Sequence, residues 1–269
     1  MKLIKTYKQL VEIENLNKKF KNSLKAFLIN RIFPNKFDEQ NEFIIYPFWH
    51  HVFEDEIKNF KFQLDLMKNY GDFISYEDSI KILKEGSKPK DKYFCLSFDD
   101  GFKNIYENVI EIFLKDNIPC MFFIPTSFID NLRDDAGKIF FNSNEINIEF
   151  LNWNDCEKIV SEKIFDIGSH SINHRLISKL TNEECTFEVS MSKNIIENKL
   201  KIKCNHFAPP VGDYSINRDL EIIKNFQYKS LSTTIRGKMG SNNSDVFALR
   251  RHHLMANWNS NFLKYFFSK

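Results

Sequence analysis

Cysteine is scarce in this chain and follows no pattern. The five cysteines among 269 residues are Cys95, Cys120, Cys156, Cys185 and Cys204, an odd number without any CxxC spacing. A disulfide framework and a cysteine-rich metal site are therefore not expected. The sequence also has no apolar run near eighteen residues and no secretory leader at its N-terminus. Together these features predict a cytoplasmic protein with reduced thiols.

Net charge is small, formally +2, and no repeat or low-complexity tract occurs, so nothing indicates nucleic-acid recognition. The charge is nevertheless uneven, because residues 1–36 carry nine lysines and arginines against two glutamates, 9 − 2 = +7. Apolar residues recur there at spacings of three and four, which predicts a basic amphipathic helix over 1–40. Two interpretations remain open: peripheral contact with an anionic membrane at its cytoplasmic face, or packing against the main domain, 41–269.

The remaining composition predicts one domain with a large core. Hydrophobic residues make up 42% of the chain, and the 28 phenylalanines are scattered through strand-like runs. This distribution is typical of core packing rather than of a cofactor site.

Two adjacent carboxylates follow a predicted strand. The apolar run Lys92–Phe98 predicts a buried strand, and it ends in Asp99-Asp100-Gly101 before an amphipathic stretch over 105–114. α/β folds place active sites at the carboxyl ends of strands. Neighbouring carboxylates repel each other, and a divalent cation relieves that repulsion. An Asp-Gly turn with a helix-capping Asp explains the same residues, so the motif alone leaves both interpretations open.

Two histidines at i, i+4 spacing form a second motif. His170 and His174 follow the short apolar run 164–167, and Gly168 permits a tight turn directly after it. From one helical turn both rings point the same way, which suits chelation, although two surface or capping histidines remain the alternative. Combined with the first motif, they provide one carboxylate and two imidazoles for a metal and a second carboxylate for acid–base chemistry. This combination is typical of a metal-dependent hydrolase.

A third motif, Phe207–Tyr214, contains two prolines and a glycine and predicts a rigid loop. Such a loop is a suitable wall for a substrate groove, and its candidate substrate-binding residues are Pro209, Pro210, Val211 and Tyr214. Taken alone, the motif indicates only a loop.

The order of these motifs resembles the polysaccharide deacetylase family, the carbohydrate esterases of family 4 with a NodB-homology domain. Ser-Phe-Asp-Asp-Gly at 97–101 is followed by His-Ser-Ile-Asn-His at 170–174 and by Phe-Ala-Pro-Pro-Val-Gly at 207–212. Segments 45–52, 119–124 and 150–155 also resemble family segments. The resemblance covers about residues 43–255.

The resemblance implies a distorted (β/α) barrel of about seven units, preceded here by the helical extension. It also implies a mononuclear metal site, usually zinc, and removal of the N-acetyl group from an amino sugar in a glycan or in its lipid- or nucleotide-linked precursor. By motif position, Asp100, His170 and His174 would bind the metal and Asp99 would be the general base.

Two departures from the family pattern concern the proton donor and an arginine. Many members use a late histidine as general acid; here the strand-like segment 247–254 contains His252 and His253, whose side chains should face opposite sides. We favour His253, which shares a face with Arg251, while a proton from elsewhere, such as protonated Asp99, remains the alternative.

The second departure is Ala208, which occupies the position where many members have an arginine paired with the catalytic aspartate. Some exopolysaccharide deacetylases carry a similar loop. Arg251 is the candidate replacement from the late strand; Arg250 is disfavoured by the alternation, and either arginine is also explained as a solvated surface charge.

Three functions are compatible with the sequence. The first is a zinc-dependent N-deacetylase acting in surface-polysaccharide biosynthesis or modification. The second is a deformylase or other amidase with the same metal site, and the third is an inactive glycan-binding relative. All four metal and base positions are present, which favours an active hydrolase.

Overall fold

The structure is a computed structural model that describes residues 2–13, 42–85, 89, 91–240 and 243–267. Most of the predicted basic helix, residues 14–41, lies outside the described residues. In its described part, Tyr7–Ile13 form a helix, but Lys2–Leu3 form a strand, so the prediction of a helix is wrong there. The backbone N–H groups of Tyr7 and Lys8 donate to the Asp55 carboxylate at 2.7 and 3.2 Å, so this part packs against the main domain.

Every strand pair in the described part of the chain is parallel. The strands are β1 (Lys2–Leu3), β2 (Phe43–Trp49), β3 (Asp72–Phe73), β4 (Lys92–Phe94), β5 (Leu96–Phe98), β6 (Cys120–Ile124), β7 (Ile146–Asn147), β8 (Phe165–Ser169), β9 (His206–Phe207), β10 (Ser230–Leu231) and β11 (Arg251–His253). β1 pairs with β7, and the others form one sheet in the order β10-β9-β8-β6-β5-β2-β4-β3, with β11 also paired to β2. The predicted strand 92–98 is divided into β4 and β5 at Cys95, which donates its N–H to Ile45.

The sheet closes into a barrel through β11. Arg251 to His253 pair with Tyr46 to Phe48 of β2, and a parallel bridge joins Ser232 to Leu249. Seven strands, β2, β5, β6, β8, β9, β10 and β11, therefore follow one another around the ring. The predicted distorted barrel of about seven units is confirmed.

Ten helices are described: α1 (Tyr7–Ile13), α2 (Ile57–Lys68), α3 (Tyr76–Lys84), α4 (Lys103–Asn108), α5 (Ile110–Asp116), α6 (Ala136–Phe141), α7 (Trp153–Ser161), α8 (Asn182–Leu200), α9 (Arg218–Asn225) and α10 (Ser260–Phe267). α7 and α8 begin with capping boxes at Asn152 and Thr181, which satisfy N–H groups of the first turn. The predicted helix over 105–114 is in fact two helices, because Val109 leaves helical geometry at φ −120°. None of the described helices is long and apolar enough to cross a bilayer.

Side-chain alternation along the strands separates an inner from an outer core. In β6, Met121 and Phe123 belong to the inner cluster, whereas Phe122 and Ile124 belong to the outer cluster beneath the helices. The outer cluster contains most of the buried phenylalanines, so these residues pack the core as predicted. All five cysteines are buried and unpaired. Because the strands are parallel, their carboxyl ends meet at one end of the barrel, where the motifs lie.

Candidate active site

A cavity of about 450 Å³ opens at the carboxyl ends of the strands. It is lined by residues that follow three different strands, His50 after β2, Asp99 and Asp100 after β5, and His170 after β8, and by His253, the last residue of β11. Residues far apart in sequence thus meet in one site.

Asp100 lies at the centre of this site in a strained turn. Its φ is +72° and that of Gly101 is +69°, so the chain turns through left-handed geometry directly after β5. Oδ1 of Asp100 lies 3.3 Å from Nε2 of His170 and 3.2 Å from Nε2 of His174. This oxygen is buried without a conventional hydrogen-bond partner among the described residues.

The two histidines converge, but not from a helical turn. Ser171 and His174 have φ values of +66° and +54°, and no helix covers 170–174, so the predicted helical turn is wrong. Nδ1 of His170 lies 2.6 Å from the carbonyl oxygen of Ala208. A proton on Nδ1 donated to that carbonyl leaves the Nε2 lone pair directed at Asp100.

Asp100, His170 and His174 fit a divalent metal. One donor atom from each lies within 4.8 Å of the others, giving one carboxylate oxygen and two imidazole nitrogens. This set suits zinc and leaves coordination positions open, and within the described residues the buried Oδ1 of Asp100 faces the two Nε2 atoms without a conventional hydrogen bond. The three residues are those that the family resemblance assigned to the metal.

The charges of the site residues favour a charged carboxylate at Asp100. Burial raises the pKa of Asp100, but the imidazoles of His50, His170 and His174 together outweigh it and bring that pKa well below its usual range. Burial lowers the pKa of His170, but Asp100 and Asp99 outweigh it and raise that pKa. His51, which also lines the cavity, has a pKa lowered to about 3 by burial and by His50, so its ring is neutral.

Asp99 is held by Arg251. Nη1 and Nη2 of the guanidinium donate to Oδ1 and Oδ2 of Asp99, each at 2.8 Å, and both side chains are buried. Nε donates to the Thr233 carbonyl at 2.9 Å, and the guanidinium lies 4.1 Å over the Phe48 ring. Burial lowers the pKa of Arg251, but the Asp99 charge outweighs it and raises that pKa. Arg250 is exposed on the other face of the segment.

His253 reaches the cavity, and His252 does not. His252 is fully buried on the opposite face, with its ring 5.9 Å from that of Phe267. Nε2 of His253 lies 2.9 Å from Nδ1 of His50, whose Nε2 is 3.8 Å from Oδ2 of Asp100. Sequence reasoning gave His50 no role, although its position directly after a buried strand was an available signal.

Of the four substrate-binding candidates, one is among the described residues that line the cavity. Val211 lines the cavity, is 68% exposed and has a φ of +59°. Pro209, Pro210 and Tyr214 are not among the described residues that line it, and Tyr214 packs against the outer core. The cavity wall also contains residues that sequence reasoning missed: His51, Phe102, Ile139, Phe140, Phe141 and Thr234.

Glu188 of α8 fixes the loop between the two histidines. It is 1% exposed, and Oε2 accepts the N–H groups of Ile172 and Asn173 at 2.8 and 2.9 Å, while Oε1 accepts Nδ2 of Asn173 at 2.7 Å. In a Glu188→Gln variant, one of these acceptors becomes an NH2 group facing a donor. We expect zinc affinity to fall about 10-fold and the free energy of unfolding to fall by about 1–3 kcal/mol.

Competition with a chelator and denaturant unfolding measure the two effects. Glu183→Gln is the control, because Glu183 is exposed on the same helix. Unchanged zinc affinity in Glu188→Gln would show that the loop keeps its shape without this carboxylate.

Comparison with known proteins gives a family that is consistent with the residues of the site. The sequence model of a family described as Polysaccharide deacetylase matches residues 86–231, more than half of the chain. YxkH of Bacillus subtilis (strain 168), a protein named for polysaccharide deacetylation, is 22% identical over 178 residues. That match covers 66% of this chain and 57% of YxkH, so the chain spans less than two thirds of that relative.

Solved structures share the fold. The Streptococcus pyogenes deacetylase PplD, in complex with acetate, superposes with a TM-score of 0.65 at 21% identity, over 84% of this chain and 98% of PplD. IcaB from Ammonifex degensii gives a TM-score of 0.70 at 16% identity, over 86% of this chain and 99% of IcaB. The family match contains both carboxylates of the Asp-Asp motif and both histidines. This chain belongs to the polysaccharide deacetylase family.

Proposed function

We propose that this protein is a metal-dependent hydrolase that removes the N-acetyl group from an amino sugar of a surface glycan or of its lipid- or nucleotide-linked precursor. The observation that supports this most is the convergence of Asp100, His170 and His174 beside Asp99 in one cavity. The donor set makes zinc the proposed metal. When bound there, zinc supplies positive charge that polarises an amide carbonyl and acidifies water.

Asp99 is the proposed general base. It lines the cavity, and the bidentate contact with Arg251 fixes both of its oxygens. The guanidinium orients the carboxylate that accepts a proton from the attacking water. The backbone N–H of Val211, on the cavity wall, is a candidate donor to the oxyanion that forms at the amide carbon.

The histidine pair is the proposed source of the proton for the leaving amine. The His50 side chain is 31% exposed and its Nε2 faces Asp100, whereas its Nδ1 contacts His253. As general acid, the His50 imidazolium donates its Nδ1–H to Nε2 of His253, which orients the ring, and gives its Nε2 proton to the leaving amine, becoming a neutral imidazole. This revises the preference for His253 as the donor.

Substitution of the two histidines tests this assignment. We expect His50→Gln to lower kcat by about 10²-fold or more, because the leaving amine loses its acid. His253→Gln should cause a smaller loss, and both variants should retain the metal. A larger loss in His253→Gln would return the role to His253, and full activity in both would place the acid elsewhere, for example on protonated Asp99.

Acetate release tests the function itself. The zinc-loaded protein is assayed on free, nucleotide-linked and undecaprenyl-linked N-acetylhexosamines, with Asp99→Asn as the control. Release that the control abolishes supports the deacetylase and identifies the carrier. Formate release from an N-formyl sugar instead would support the deformylase, and a metal-loaded protein that hydrolyses no amide would support a binding role.

A further inference from the structure

The two histidines of the candidate metal set are oriented by different means. The His170 side chain is 2% exposed, and its Nδ1 is fixed by the Ala208 carbonyl at 2.6 Å. His174 is 11% exposed, and its Nδ1 has no hydrogen-bond partner among the described residues. Oγ of Ser171 accepts its backbone N–H at 3.2 Å, and Nε2 lies 3.2 Å from Oδ1 of Asp100. Apart from the contact of Nε2 with Asp100, no hydrogen bond among the described residues therefore fixes the His174 ring.

An aromatic contact also restrains the His174 ring. The Phe140 ring lies 4.5 Å from the His174 ring, centroid to centroid, at an interplanar angle of 46°. On its other sides Phe140 packs edge-on against Phe128 at 5.0 Å and Phe102 at 5.3 Å. Phe150 lies 5.5 Å away as well, so the ring that touches His174 is itself held by three aromatic neighbours.

We propose that Phe140 is a positioning residue that orients the His174 imidazole for metal binding. A ligand imidazole normally gains its orientation from a hydrogen bond at its second nitrogen, and loss of that contact typically weakens metal affinity 10- to 100-fold. Here the Phe140 ring, in contact with the imidazole, restricts rotation of the His174 ring and keeps Nε2 directed at Asp100, 3.2 Å away. This inference rests on the proposed metal-dependent function.

Phe141 provides a matched control. It is the next residue of α6 and also lines the cavity, but its ring packs against Phe102 at 6.0 Å and His51 at 6.5 Å rather than against His174. Truncation of Phe141 therefore removes a similar apolar volume from the same wall and leaves the His174 contact in place.

The test is metal affinity. Zinc is titrated into the metal-free full chain against a chromophoric chelator, and visible spectra of the cobalt-loaded proteins report ligand geometry. Phe140→Ala should bind zinc about 10-fold more weakly and show an altered cobalt spectrum, while Phe141→Ala should match the wild type. If the alanine variant does not fold, Phe140→Leu is used for the same comparison.

The outcomes separate this inference from the proposed function. Wild-type affinity together with a wild-type cobalt spectrum in Phe140→Ala would overturn the positioning role alone. Equal weakening in Phe141→Ala would overturn it as well, since a general effect of the wall would then explain the loss. A wild-type chain that binds no zinc would overturn the proposed metal function, and this inference with it.

Discussion

Asp99→Asn is expected to reduce hydrolysis by about 10²- to 10⁴-fold while the metal stays bound. The substitution replaces the carboxylate of the proposed general base with an amide, which accepts no proton at neutral pH. Asp99 is not a member of the metal set, whose donors are Asp100, His170 and His174. This variant should therefore lose activity and keep its metal content.

The buried arginine determines how this experiment is done. Arg251 is fully buried and donates to both oxygens of Asp99, so the asparagine leaves its charge without a counter-ion. Removal of one partner from a buried ion pair typically costs about 3–5 kcal/mol of stability. The free energy of unfolding must be measured first, and kcat must be compared at a temperature where both proteins are folded.

Metal analysis and steady-state kinetics then decide the role of Asp99. Asp116→Asn is the control, because Asp116 is exposed at the end of α5 and does not line the cavity. A variant that keeps a tenth or more of the wild-type kcat would contradict the general-base assignment. A variant that also loses its metal would show that Asp99 takes part in holding the ion.

Local sequence signals were sufficient for the parts of the site that lie directly after a strand. Asp99 and Asp100 after β5, and His170 after β8, were predicted because each follows a short apolar run. Parallel strands bring their carboxyl ends together, so these residues meet without further information. The alternation of β11 also predicted that Arg251 and His253 share a face, and the structure brings both to the site.

Contacts across the closure of the barrel were not predictable in the same way. His50 and His253 are 203 positions apart and touch only because β11 pairs in parallel with β2. The predicted helical turn at 170–174 was wrong because Glu188, from the following helix α8, binds the N–H groups of Ile172 and Asn173. Tertiary contacts override local spacing in both cases.

The phenylalanines of α6 that line the cavity were not predicted, for a different reason. α6 is six residues long, too short for a helical period to stand out, and its phenylalanines belong to a chain with 28 of them. Only the fold shows that Phe140 meets a histidine of the candidate metal set, whereas most of the other phenylalanines pack the outer core. Composition alone does not distinguish Phe140 from the phenylalanines that pack the core.

His174→Ala is expected to abolish both metal binding and hydrolysis. The metal set offers one oxygen and two nitrogens, and the variant leaves a single imidazole with Asp100. Two protein ligands are too few for a stable zinc site, which needs at least three. Asp99 and Arg251 remain intact in this variant, so the loss of activity follows from the metal and not from the base.

Metal content after dialysis, measured by elemental analysis, checks this expectation. His51→Gln is the control, because His51 lines the same cavity without belonging to the metal set, and it should keep one metal per chain. Full stoichiometry in His174→Ala would contradict the ligand assignment. Because Asp99→Asn is expected to lose activity with its metal in place, and His174→Ala to lose both, the two variants together distinguish the base from the ligands.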